Sequence, residues 1–192
     1  MKSKRQKKQQ QRRRKQILNW VIWGGLAVIV IVGLAFVLRG SPTTAVGESV
    51  AVMPNANHVE EGSDPGPYST DPPTSGPHYA NEMDAGFYEV NDQQPAYPAG
   101  YLVHNLEHGY VIFWYNCSVV GEQGCSSLKS EIQSVMDQVN NFKVIAYPWS
   151  SIEVPVVMTS WGKLQKFDQF DAGLAKNFVL SNRNHAPEPN AP

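Results

Sequence analysis

The sequence predicts an α+β domain with a small sheet, carried on a single N-terminal transmembrane helix. Its elements run strand, helix, strand, strand, helix, after a long, ordered, proline-rich loop segment. Three observations carry this prediction. Residues 17–38 form an uninterrupted apolar span. Residues 41–100 hold nine of the chain's 14 prolines. Beyond residue 101, β-branched and aromatic runs alternate with two stretches of helical periodicity.

The 192-residue chain opens with a basic cytoplasmic tail, residues 1–16, which holds nine Lys or Arg and no acid. Ile17 to Leu38 follows, 22 residues without a charge and with Asn19 as its one strongly polar side chain. A helix of that length, rising ~1.5 Å per residue, crosses a hydrocarbon core of ~30 Å. Trp20 and Trp23 sit at the basic end, where interfacial aromatics belong. A cleaved signal peptide is the rival, but its apolar region is only about 7–15 residues. Basic flanks stay inside. The expectation is therefore a single-pass protein of the cell membrane, with the N-terminus cytoplasmic and the C-terminal domain extracytoplasmic. Gly24, Gly25 and Gly33 make no G-x-x-x-G spacing, so nothing points to helix dimerisation.

Beyond Arg39 there are six Lys or Arg against 17 acids, a net charge of −11. Such a surface repels phosphates, which excludes nucleic acid as its partner. The basic tail beside the apolar span points to membrane lipid instead. Residues 39–49 read as a linker, 50–182 as the extracytoplasmic domain, and 183–192 as a flexible tail.

The proline-rich segment carries turn signals at Pro65-Gly66-Pro67, Pro72-Pro73 and Gly76-Pro77. It also holds Tyr68, Tyr79, Phe87 and Tyr88, too aromatic a set for a disordered tether. Structureless loops of this length are rare inside compact domains, so the segment is read as ordered and wrapped on the core.

Leu102 to Tyr115, L-V-H-N-L-E-H-G-Y-V-I-F-W-Y, reads as the central buried strand, with Gly109 as a bulge or bend. On a strand His104, Leu106 and His108 share one face, and Asn105 and Glu107 take the other. Leu128, Ile132, Val135, Met136 and Val139 form the apolar stripe of a helix from Ser126 to Asn141, capped by Ser126 or Ser127. Val144–Tyr147 and Val154–Trp161 read as strands. Phe167, Phe170, Leu174 and Phe178 mark a second helix. The first strand–helix–strand unit has the form of a parallel crossover.

The two cysteines, Cys117 and Cys125, fall on the outer side of the membrane by this topology, where a disulfide persists. The seven residues between them include Gly121 and Gly124, so the loop can close. A Cys/His zinc site is the alternative, and its thiolates usually come as C-x2-4-C pairs.

Four histidines precede or enter the central strand: His58, His78, His104 and His108. Imidazole suits copper and zinc. Together the four form a candidate metal site, with Glu107 orienting an imidazole or anchoring the loop. Copper is placed ahead of zinc because the compartment is oxidising and Met53, Met83 and Met158 are external. Two alternatives stand beside this. In a non-catalytic interaction module the histidines are hydrogen-bonded supports, and the acidic, aromatic surface binds an envelope protein. In a small metallohydrolase H-N-L-E-H is the H-x-x-E-H of inverted zinc peptidases, with Glu107 as base, which requires a helix. An enzyme is the less favoured reading, and no catalytic residue is assigned. Ser75 lacks the G-x-S-x-G surroundings of an activated nucleophile.

Pro72-Pro73-Thr74-Ser75-Gly76-Pro77-His78, the run from Leu102 to Gly109, Cys117 after an aromatic strand, and Trp161-Gly162 together resemble a bacterial, membrane-anchored family catalogued as domain of unknown function 3105. The resemblance covers roughly residues 50–182. It implies an N-terminal membrane anchor. It implies no reaction, and no ligand set for the four histidines.

Overall fold

The computed structural model of the protein describes residues 46–191, together with Trp20 and Trp23. The chain divides into two compact units, Met1–Thr43 and Thr44–Pro192. The basic tail, the expected span 17–38 apart from its two tryptophans, and most of the linker lie outside the described residues. Among the described residues no helix is long and apolar enough to cross a membrane.

Within 46–191 the order is β1 (Glu48–Ser49), β2 (Gly86–Phe87), α1 (Pro98–Glu107), β3 (Val111–Tyr115), α2 (Cys117–Gln138), β4 (Val144–Pro148), β5 (Val156–Ser160), β6 (Lys163–Phe167) and α3 (Ala172–Asn182). The strands form one mixed sheet in the order β1-β6-β5-β3-β4-β2. β3 runs parallel to β4, and α2 is the crossover between them. It runs antiparallel to β5, which pairs with β6 as a hairpin.

Alternation along β3 divides the core in two. Val111, Phe113 and Tyr115 pack with Leu128, Ile132, Val135 and Met136 of α2 and Phe178 of α3. Ile112 and Trp114 pack on the other side with Leu102 and Leu106 of α1. All five β3 residues are buried, as expected of a strand covered on both faces.

The chain from Leu102 to Tyr115 is not one strand. Its first half is the end of α1, and only Val111–Tyr115 is extended. The break is a helix-ending motif: Tyr110 N–H donates to Asn105 O and Gly109 N–H to Leu106 O, both at 3.0 Å, and Gly109 takes φ 84°. Gly109 is therefore a helix stop, and not a bulge. α2 starts at Cys117, ahead of the expected serines. Its cap is Asn116, whose side chain accepts from Ser118 N–H at 3.0 Å. Gly121, at φ 70°, kinks it. Cys117 and Cys125 bridge this kinked turn at disulfide distance, Cα atoms 4.9 Å apart. Phe167 ends the strand β6 and does not belong to the expected second helix. α3 begins only at Ala172, where Asp171 accepts from Leu174 N–H at 2.8 Å.

Two terminal expectations change as well. Residues 48–49 of the expected linker pair with β6. The tail from residue 183 does not hang free. Asn184 N–H donates to Gly109 O at 2.9 Å and Glu188 N–H to Glu107 O at 3.0 Å, because the end of α1 presents carbonyls that no helical turn can satisfy.

Candidate functional site

The site lies where α1 ends. Pro98 opens that helix, at a position whose missing N–H costs nothing. One turn on, Gly100 and His104 share a face and grip a single residue of the proline-rich loop. Tyr79 N–H donates to Gly100 O at 3.0 Å, and Tyr79 O lies 2.6 Å from His104 Nδ1. Gly100 allows this approach: a Cβ there would come within 2.4 Å of the Tyr79 ring. A carbonyl oxygen only accepts, so His104 Nδ1 carries the proton. The neutral ring then presents a bare Nε2.

That Nε2 faces His108. The helix places the two rings one turn apart, with Nε2–Nε2 2.8 Å and the planes at 87°. The proton between them belongs to His108 Nε2, which leaves His108 Nδ1 buried without a hydrogen-bond partner. Burial first, and then the neighbouring His104, hold the His108 imidazole below its usual pKa. Two carboxylates border the pair: Glu82 Oε2 is 4.0 Å from His104 Nε2, and Glu188 Oε2 is 3.6 Å from His108 Nε2. Glu82, His104 and His108 each offer an atom within 4.8 Å of the others.

The four histidines singled out from sequence come together in two overlapping groups that share His104. His58, His78 and His104 also lie with ligand atoms within 4.8 Å of one another. His58 is exposed and is joined to His78 by a parallel bridge of the main chain. His78 is fully buried, with Nδ1 2.9 Å from Gly76 O and Nε2 2.9 Å from Glu107 Oε2. The Gly76 carbonyl is an acceptor, so His78 Nδ1 carries a proton, and Nε2 shares a hydrogen bond with the Glu107 carboxyl group. The pair ties the 72–79 turn to α1. The helix required by the H-x-x-E-H pattern is present, but the Glu107 carboxylate is turned to His78.

Four contributors, Asn105, Glu82, Lys143 and Glu188, had no local signal. Asn105, fully buried, holds Met83 by both main-chain groups: Oδ1 accepts from Met83 N–H at 3.0 Å and Nδ2 donates to Met83 O at 2.8 Å. This fixes the loop that carries Glu82. Lys143 is buried, and its Nζ donates to His108 O (3.0 Å), Pro189 O (3.1 Å) and Ala191 O (2.7 Å). Glu188 arrives from the tail. The remaining candidates lie elsewhere. Ser75 Oγ accepts from Met53 N–H at 3.0 Å, and Met158 is inside the core beneath α2 and α3.

A family model described as "Protein of unknown function (DUF3105)" matches residues 58–192, which includes the tail. No curated protein and no solved structure matches the chain.

Proposed function

We propose, for a chain that belongs to the DUF3105 family of proteins of unknown function, that the domain binds a divalent transition metal through Nε2 of His104 and His108, with Glu82 as a carboxylate ligand. One observation supports this most: two imidazole nitrogens meet at 2.8 Å, and the lone pair of one is fixed in place by the Tyr79 carbonyl. With bonds of ~2.0–2.1 Å, nitrogens so spaced subtend about 85–90° at a shared ion. That is the cis angle of tetragonal copper(II), whereas a tetrahedral zinc site opens the pair to about 3.3 Å. Copper is therefore placed ahead of zinc, on geometry and not on the methionines. When the ion binds, the His108 proton shifts from Nε2 to the free Nδ1, so both Nε2 lone pairs face the ion and both imidazoles stay neutral. His78 and Glu107 brace the loop behind the ligands, and His58 stays outside the set.

The role is metal binding and not hydrolysis, since the carboxylate that would serve as base is engaged by His78. We place the module outside the membrane, on the 17–38 span, because the nine basic residues before that span favour the cytoplasm. A second reading is favoured by the bonds of His78 and of His104 Nδ1: the histidines are supports for the 58–79 loop in a module that binds another envelope protein.

Titration of the full-length chain with copper(II) and zinc against a chromophoric chelator at neutral pH tests the proposal. We expect one ion per chain. His104→Ala and His108→Ala should each weaken binding by more than the ~10–100-fold that losing an orienting partner costs. His58→Ala should leave it unchanged. Failure to bind either ion at micromolar concentration overturns the metal reading in favour of the supporting one.

A further inference from the structure

Resting on that reading, we propose that residues 184–191 form a strap that closes the metal site, and that Glu188 is the fourth ligand. Three successive carbonyls at the end of α1 hold this segment. Glu107 O accepts from Glu188 N–H at 3.0 Å, and Gly109 O from Asn184 N–H at 2.9 Å. Between them, His108 O shares the Lys143 ammonium with Pro189 O and Ala191 O. The strap is thus fastened to the very turn that carries His108. Carbonyls that a helix end must leave open become its anchor.

Glu188 then stands with Oε2 3.6 Å from His108 Nε2, although its side chain is largely exposed. Prolines flank it on both sides, at 187 and 189. They restrict the unbound backbone and so reduce the entropy lost in presenting the carboxylate. Charge points the same way. Two neutral imidazoles and one carboxylate leave a divalent ion with a net positive charge beside buried groups. A second carboxylate, from Glu188, neutralises it. Ion and strap are consequently coupled: whatever fastens one fastens the other, and by the same factor.

The test uses the full-length chain in mild detergent, with copper(II) and zinc as probes. Affinity is measured for the wild type and Glu188→Gln, and amide hydrogen exchange is followed in the 184–191 peptide with and without metal. In the wild type, metal should slow exchange of that peptide. Glu188→Gln should weaken binding by at least about tenfold, on the scale of a lost ligand-sphere partner, and abolish the slowing while the histidines still bind. Wild-type binding with equal affinity in Glu188→Gln, or exchange unaffected by metal in the wild type, overturns the strap and leaves the histidine site standing. A wild type that binds neither ion overturns both.

Discussion

Asn105 sits between His104 and His108 in sequence, yet it acts on a different partner. As a strand residue it would face away from them, and its loss would matter little. On α1 its amide binds both main-chain groups of Met83, next to Glu82. Asn105→Ala leaves a donor and an acceptor of the half-buried Met83 unpaired, at less than the ~1–3 kcal/mol that a fully buried group costs. We expect a lower thermal midpoint and weaker metal binding in the same variant. An unchanged melting curve would show that Met83 finds other partners. The four histidines were legible as candidates because imidazoles are few and the i, i+4 spacing is local. Glu82 and Glu188 were not, because one is delivered by Asn105 from an irregular loop and the other by Lys143 from the chain end. Neither delivery leaves a mark in the neighbouring residues.

At the scale of elements, α1 was hidden by its own burial. Gly100, Leu102, Val103, His104, Asn105 and Leu106 are all buried, so no polar face interrupts the apolar run into β3. Without that interruption the 3.6-residue period disappears and the run looks like one long strand. The readable signal was the bracket of Pro98 and Gly109, a helix start and stop. α2 shows the contrast: one face is exposed, and its stripe was found at the right residues, although its start was concealed by Gly121 and Gly124. β6, K-L-Q-K-F, was missed because only Leu164 and Phe167 are buried. Gly109 offers the prediction at this scale. A Cβ there would lie 2.7 Å from Asn184 Cα, and φ 84° is strained for any L residue. The backbone term alone costs roughly 1–2 kcal/mol. Gly109→Ala should therefore lower the thermal midpoint and speed exchange of the Asn184 amide. If Asn184 exchanges as in the wild type, the tail does not depend on this close approach.

For the whole molecule, the sequence divides into a basic, apolar beginning and a domain of charge −11. That asymmetry predicts its orientation. An enzyme reporter that works only outside the cytoplasm, fused after Pro192, should be active, and activity from a cytoplasmic reporter alone would reverse the assignment. The cysteine pair at disulfide distance fits the outer side. Within the domain, β3 is hydrogen-bonded along both edges and covered on both faces. Segments of that kind open only when the whole fold opens. His108 is separated from β3 by two residues, so the imidazoles share the permanence of the core. Glu82 and Glu188 are attached to irregular backbone, which opens far more often. A site so divided has one fixed wall and one moving wall. An ion held in it would come and go on the carboxylate side, at a rate set by loop motion, while its nitrogen ligands waited in place.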